Sequence, residues 1–240
     1  MDNSLSLEGE SRLSFYKELT AIDEKKNVML VQNIEDNQIY IRKIVDIYLR
    51  SVYEQLKQFH ISGIPDIIEC IDDDDKLIVI EEYIQGKNLL QIMKENGLAG
   101  ESYAYKAAMN LTDILIELHG MNPPVIHRDI KPSNIIIDKN GHLYLIDFDA
   151  ARNVNGFKDE DTRMLGTMYF AAPEQYGFGQ SDMRTDIYGL GVVCSKRLLN
   201  QAVGNCFGNT ANRNACCKCS EVTVFSFRSL IGCCLIRLTA

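Results

Sequence analysis

Apolar and polar positions alternate over short runs in the first third of the chain. Residues 1–12 are mainly polar and predict a frayed start. From Phe15 to Ile44, three short runs separated by polar turns predict three antiparallel strands. Two further apolar runs, IIECI and KLIVIEEYI, predict another pair of strands. The four aspartates between them, Asp72–Asp75, are typical of a solvated turn rather than a metal site.

Helical periodicity appears between these strands and again after them. Residues 46–59 carry apolar side chains at near-helical spacing and predict a helix with one apolar face. The same period recurs in Leu89–Glu95 and in Ser102–His119, where the apolar stripe is strongest. Pro123 and Pro124 prevent the second of these helices from continuing. We therefore expect strands first and mainly helices afterwards.

After the helices, two short apolar runs predict a β-hairpin, and polar residues lie directly before and after it. Two apolar runs, Ile135–Ile137 and Leu143–Ile146, flank a turn that contains Asn-Gly. Asp129 and Asn134 precede the hairpin, and Asp147 follows it. The hairpin can hold these three side chains around one small space. Two carboxylates and an amide suit Mg²⁺ binding and phosphate chemistry.

The stretch HRDIKPSN, followed by DF, resembles the catalytic loop and metal-binding motif of the eukaryotic-type protein kinases, including the bacterial Ser/Thr kinases. The resemblance implies an α+β bilobal fold. Its small β-rich N-lobe with one helix would span residues 1–85, and its mainly helical C-lobe residues 86–193. It also implies transfer of the γ-phosphoryl group of ATP to Ser/Thr hydroxyls of a protein substrate, with Mg²⁺ as the metal.

The same resemblance assigns roles around the hairpin. Asp129 would accept the proton of the substrate hydroxyl, and Lys131 would stabilise the transferring phosphoryl group. Asn134 and Asp147 would hold Mg²⁺. Thr167, close to the end of an activation segment that finishes in Ala-Pro-Glu, would bond near Asp129 and Lys131.

Modification of the activation segment is a further possibility that the resemblance raises. Thr162 is the candidate phosphorylation site, and Arg128 could pair with its phosphate. An unmodified surface threonine is the alternative. Asp149 stands where the family has the glycine of DFG, which removes backbone freedom at that position.

Nucleotide binding is assigned to the first lobe by the same resemblance. Lys43 would bind the α- and β-phosphates and pair with Glu54 on the helix. Glu81 would occupy the gatekeeper position. The family's glycine-rich loop is missing, since its three glycines correspond to Ala21, Asp23 and Lys26. The remaining nucleotide contacts would come from Val28, Glu82 and Ile84.

The overall composition excludes some function classes. A net charge of −8 argues against broad nucleic-acid binding. The N-terminal stretch lacks the basic and apolar regions of a signal peptide. No run reaches the 18 or so apolar residues that span a bilayer. We therefore expect a cytoplasmic protein without a membrane span, and the sequence leaves its oligomeric state unknown.

The composition changes after Val193. Residues 194–240 hold seven of the eight cysteines and one acid, Glu221. A zinc module would need paired C-x-x-C spacing, which is absent, and disulfides are not expected in the cytoplasm. We therefore favour aberrant or out-of-frame sequence that truncates the kinase domain. A chain without its last C-lobe helices would have an incomplete core and low stability.

Three functions follow from these patterns. The first is a Ser/Thr protein kinase. The second is a pseudokinase or inactive fragment that binds nucleotide weakly, which the missing glycines and the altered C-terminal segment favour. The third is a small-molecule kinase of related fold, against which the Ala-Pro-Glu segment with Gly166-Thr167 argues.

Overall fold

Five antiparallel strands form the largest sheet, in the spatial order β1-β2-β3-β5-β4. The structure is a computed structural model that describes residues 5–96, 101–154, 170–176 and 180–194. The strands are β1 (Tyr16–Asp23), β2 (Val28–Asn33), β3 (Ile39–Asp46), β4 (Ile67–Asp73) and β5 (Lys76–Glu82). The predicted strand pattern of this region is confirmed.

Asparagine and aspartate form the tight turns of this sheet. Asn27, Asn37 and Asp74 have positive φ angles of 51°, 59° and 51°. These residue types tolerate the left-handed conformation better than others because their short polar side chains bond locally. The run of four aspartates forms the β4–β5 turn, in which Asp73 lies opposite Lys76, as the sequence predicted.

The prediction of a frayed start is wrong, because residues Leu7–Leu13 form a short helix, α1. The Ser6 hydroxyl caps this helix by accepting a hydrogen bond of 3.0 Å from the Gly9 N–H. Gly9 is buried, and a Cβ there would lie 2.9 Å from a methyl group of Ile71. An ion pair between Arg12 and Glu69 ties the helix to β4. Docking against the sheet therefore orders a segment too short to show helical periodicity.

The predicted helix over residues 46–59 is confirmed, but its first turn is tighter than expected. Ile47–Leu49 form a 3-10 turn that leads into α2 (Arg50–Gln58). Val52, Tyr53 and Leu56 are buried and fix the helix in the core. The apolar spacing in the sequence thus identified the correct face.

The second half of the described chain is built from helices and two small sheets. Strand β6 (Gly86–Asn88) pairs with β8 (Ile135–Asp138), which pairs with β9 (Leu143–Leu145). The β8–β9 pair confirms the predicted hairpin, with Ile135 opposite Leu145. The other elements of this half are α3 (Leu89–Asn96), α4 (Glu101–Gly120), β7 (Val125–Ile126), β10 (Arg152–Asn153) and α5 (Met183–Val192).

Helix α4 and the hairpin form the centre of the hydrophobic core. Leu111, Leu115 and Leu118 of α4 are fully buried, as are Leu145 and Phe148 at the end of the hairpin. This packing fixes the position of the polar residues on either side of the hairpin. Among the described residues, no helix combines the length and apolar character needed to cross a bilayer.

Candidate active site

A cleft of about 520 Å³ lies between the five-stranded sheet and the hairpin. This volume falls in the range typical of small-molecule sites. Sequence-predicted residues from both halves of the molecule line it: Val28, Lys43, Glu82, Ile84, Lys131, Asn134 and Asp147. The fold therefore brings most of the predicted binding residues into one cavity.

Asp129 lies beside this cleft, where two neighbouring side chains bind it. The Lys131 ammonium lies 2.5 Å from Oδ2 of Asp129. The Asn134 amide nitrogen donates to the same Oδ2 at 3.2 Å and to the Asp129 carbonyl oxygen at 3.0 Å. Three residues predicted to act together thus form one hydrogen-bonded cluster. Since Nδ2 of Asn134 is turned to Asp129, its amide oxygen is the atom that a hard cation would use.

The backbone leading to Asp129 is held by Asp186, a buried residue of α5. Its carboxylate accepts hydrogen bonds from the His127 N–H at 2.9 Å and the Arg128 N–H at 2.8 Å. These two hydrogen bonds anchor the backbone of the loop that carries Asp129. Nε2 of His119 donates to the same carboxylate at 2.9 Å, a contact that sequence reasoning missed.

His127 and Phe148 form a buried scaffold under the cluster. The rings meet edge to face, with centroids 4.7 Å apart. Nε2 of His127 donates to the Ile146 carbonyl oxygen at 3.1 Å, and Nδ1 accepts from the Asp129 N–H at 3.3 Å. Burial lowers the pKa of His127, which keeps the ring neutral and able to accept that hydrogen bond. Both residues therefore support the loop that carries Asp129.

Asp147 lies at the mouth of the hairpin in a left-handed conformation, with φ at 70°. This conformation costs free energy for residues other than glycine, and residues that adopt it are often found at functional sites. The Lys26 ammonium donates to Oδ2 of Asp147 at 2.8 Å. Burial opposes ionisation of Asp147, but Lys43 and Lys26 outweigh it and hold its pKa below the ordinary value. The carboxylate is therefore ionised and able to bind a cation.

Asp149, which replaces the family's glycine, is tied to the first half of the chain. The Tyr53 hydroxyl donates to its Oδ1 at 3.4 Å, and Lys26 lies 3.9 Å from its Oδ2. Burial, together with the adjacent Asp147 carboxylate, raises the pKa of Asp149 to about 6. Two neighbouring carboxylates of opposite pKa shift therefore face the cleft.

The predicted partner of Lys43 is wrong. Lys43 pairs with Glu81 at 2.7 Å, whereas Glu54 lies on another face of α2 and pairs with Arg50 at 3.6 Å. The cause is strand register, since Lys43 lies opposite Val79 and a residue two positions further along shares its face of the sheet. The missed signal was Glu81, the first of two acids that follow an apolar strand run.

The β1–β2 turn shows what replaces the glycine-rich loop. Oδ1 of Asp23 accepts hydrogen bonds from the Lys25 N–H at 3.0 Å and the Lys26 N–H at 3.3 Å. In a glycine-rich loop, backbone amides of this kind are the groups that cradle phosphates. The Asp23 carboxylate therefore bonds the amides of its own turn, and the side chain of Lys26 extends from this turn to Asp147.

Several predictions fall on other parts of the chain. Thr162, Thr167 and the cysteine-rich segment from residue 195 lie outside the described residues, so their roles stay predictions. Glu174, the last residue of the Ala-Pro-Glu segment, lies within the described residues and accepts a hydrogen bond of 2.7 Å from the Thr185 hydroxyl. This contact joins the Ala-Pro-Glu segment to α5.

Comparison with known proteins places these features in one family. The family model described as the protein kinase domain matches residues 24–224. The match continues past Val193, the point at which the recognisable sequence motifs end. The origin of the segment after Val193 remains a prediction.

Curated relatives agree with the family model. Serine/threonine-protein kinase cds1 of Schizosaccharomyces pombe is 31% identical over 158 residues, which are 63% of this chain and 34% of that protein. Serine/threonine-protein kinase F of Synechocystis is 33% identical over 156 residues, 60% of this chain and 31% of that protein. PrkC of Bacillus subtilis is 31% identical over 135 residues, 54% of this chain and 20% of that protein. The matched part thus spans about a third or less of each relative.

Proposed function

The chain belongs to the protein kinase family, and from that premise we propose that it transfers the γ-phosphoryl group of ATP to serine or threonine hydroxyls of a protein substrate. The observation that carries this proposal is the cluster in which Lys131 and Asn134 both bind Oδ2 of Asp129, with Asp147 lining the same cleft. A lysine two residues after the base is the pattern of the Ser/Thr-directed branch, and the relatives named above are Ser/Thr kinases by name.

Asp129 acts as the proton acceptor in this proposal. Its Oδ2 is held by Lys131 and Asn134, so the carboxylate is oriented before substrate arrives. The substrate hydroxyl passes its proton to Asp129 as its oxygen bonds to the γ-phosphorus and the bond to ADP breaks. The Lys131 ammonium, which is paired with Asp129, interacts in this proposal with the negative charge of the transferring phosphoryl group.

Nucleotide binding falls to the other residues of the cleft. Lys43 binds the phosphates as an ammonium, and the chain at Glu82 and Ile84, where the first sheet ends, meets the adenine. Asn134 and Asp147 provide the amide and carboxylate oxygens that would hold Mg²⁺. The metal, when bound, neutralises phosphate charge.

Replacing Asp129 by asparagine tests this function. The asparagine side chain keeps the size of the carboxylate but cannot take a proton, so phosphate incorporation from γ-labelled ATP into a Ser/Thr peptide library should fall about 100-fold or more. The matched control is Asp75→Asn, in the exposed β4–β5 turn, which should retain full activity. Equal incorporation by wild type and Asp129→Asn would contradict the proposal.

The contact between Lys26 and Asp147 favours a second candidate, a nucleotide-binding protein without transferase activity. Lys26 occupies an oxygen that the metal would use, and Asp23 occupies loop amides that phosphate would use. Thermal unfolding with Mg·ATP, measured beside the incorporation assay, separates the two. A rise in melting temperature without turnover by wild type would support the second candidate and overturn the first.

A further inference from the structure

Lys43 and Glu81 form a buried ion pair at the back of the cleft. Their charged atoms lie 2.7 Å apart, and the two side chains are only 5% and 11% exposed. Burial lowers the pKa of Lys43, but Glu81, Tyr53, Asp149 and Asp147 together outweigh burial and raise the pKa well above the ordinary value. The largest of these favourable contributions comes from Glu81, which helps Lys43 to keep its charge at a buried position.

Both members of this pair belong to the same sheet. Lys43 lies on β3 opposite Val79 of β5, and Glu81 lies opposite Ile41. Side chains two positions apart on a strand point to the same face, and such diagonal neighbours are within reach of long side chains. Main-chain hydrogen bonds between β3 and β5 therefore set the separation of the two charged groups.

The helix that packs behind Lys43 presents an aromatic residue to it instead of an acid. The Lys43 ammonium lies 5.0 Å from the centre of the Tyr53 ring, and Tyr53 is fully buried. Glu54, the next residue, has a side chain that is 38% exposed and pairs with Arg50. The helical position that faces Lys43 is thus occupied by Tyr53.

We propose that Glu81 is the positioning residue for Lys43 in this protein, and that it performs from strand β5 the role that the family resemblance assigns to a glutamate of α2. This inference rests on the proposed function, in which Lys43 binds the nucleotide phosphates. Because the pair lies within one sheet, a displacement of α2 leaves it intact. The Lys43–Glu81 ion pair therefore does not depend on the position of the helix, although Tyr53 of α2 also contacts the ammonium.

Two isosteric substitutions give opposite expectations. Glu81→Gln removes the charge that stabilises the Lys43 ammonium, so Mg·ATP affinity by calorimetry should fall about tenfold or more, as expected for loss of one partner of a buried pair. Glu54→Gln removes an acid of the same size from α2 and should leave the affinity within about twofold, since its partner is an exposed arginine.

The reactivity of Lys43 gives a readout that does not depend on turnover. Acetylation of Lys43 at pH 8, followed by peptide mass spectrometry, should be faster in Glu81→Gln. Loss of the Glu81 charge lowers the pKa of Lys43, so a larger fraction of the side chain is the neutral amine that reacts. The groups that remain around the ammonium are Tyr53, Asp147 and Asp149. Glu54→Gln should react as slowly as wild type.

The outcomes separate this inference from the proposed function. Wild-type protein that transfers no phosphate but loses Mg·ATP affinity in Glu81→Gln would contradict the function and support the inference. An unchanged affinity and Lys43 reactivity in Glu81→Gln, or an equal loss in Glu54→Gln, would overturn the inference.

A double substitution covers the case in which Glu81→Gln does not fold. Tyr53→Glu combined with Glu81→Gln returns one carboxylate to Lys43 from the helix side. Recovery of folding and of Mg·ATP binding in the double variant would support the proposal. If neither variant folds, a carboxylate beside Lys43 is not sufficient to replace Glu81. That outcome would contradict the proposal that Glu81 acts by positioning Lys43.

Discussion

Asp186 holds the loop before Asp129 in a conformation that few residues other than glycine adopt. Arg128 has a φ of 68°, and its N–H donates to Oδ1 of Asp186 while the His127 N–H donates to Oδ2. From the opposite side, Nε2 of Gln175 donates to the Arg128 carbonyl oxygen at 2.7 Å. The strain at Arg128 is offset by buried hydrogen bonds to a charged acceptor.

Replacing Asp186 by asparagine should therefore destabilise the fold and disable the site. The new amide group would turn a donor towards a backbone N–H or His119, and we expect a loss of about 2–4 kcal/mol in unfolding free energy. Urea unfolding measures this loss. Glu117→Gln, at an exposed position of α4, is the control and should change stability by less than about 0.5 kcal/mol. Equal stability of the two variants would show that Asp186 is not the anchor.

At the scale of elements, β6 fixes the start of the second half of the molecule against the hairpin. Gly86 lies opposite Asp138, and a Cβ on it would lie 2.3 Å from the Ile137 carbonyl oxygen and 2.7 Å from an Ile136 methyl group. The strand can approach β8 this closely only without a side chain at that position. Glycine is thus required by packing.

A matched pair of alanine substitutions tests this requirement. Gly86→Ala should lower the unfolding free energy by about 1–3 kcal/mol through overpacking. Gly120→Ala, in the last turn of α4 where a Cβ would meet nothing within 4 Å, should be neutral or stabilise the protein by up to about 1 kcal/mol. Urea midpoints compare the two. The packing argument fails if Gly86→Ala is as stable as Gly120→Ala.

The sequence predicted those elements whose signal is local. The hairpin followed from its Asn-Gly turn, and α4 from its long apolar stripe. The helix α1 and the strand β6 were missed because they are short and polar, and they are ordered by contacts with β4 and β8. Pairing of Lys43 with Glu81 was missed for a similar reason, since it depends on the register between two strands, which spacing along the chain does not reveal.

At the scale of the whole molecule, Lys26 links the first sheet to the second half of the chain across the cleft. Its ammonium donates to Asp147 at 2.8 Å, and its side chain is 47% exposed. The Asp147 carboxylate raises the pKa of Lys26 despite partial burial, so the lysine stays charged. A metal ion bound at Asp147 would have to compete with this ammonium.

Removing the ammonium should therefore strengthen metal binding. In Lys26→Met, the affinity of nucleotide-free protein for Mg²⁺ should rise about twofold to fivefold, the range expected for a half-exposed ion pair. Calorimetric titration measures it. Lys25→Met removes the same charge from an exposed neighbour in the same turn and serves as the control. An equal gain in Mg²⁺ affinity in both variants would show that the effect comes from net charge alone. Weaker Mg²⁺ binding in Lys26→Met would contradict competition between the Lys26 ammonium and the metal.

The arrangement around Lys43 also constrains how this sequence can diverge. Tyr53→Glu alone would set two carboxylates on one ammonium, and loss of Glu81 alone would remove the carboxylate that pairs with it. Each single change is costly, whereas the double change restores one acid for one lysine. Positions 53 and 81 are therefore epistatic. A sequence can change from one arrangement to the other only through a less stable single variant. The residue at one position thus determines which residue is tolerated at the other.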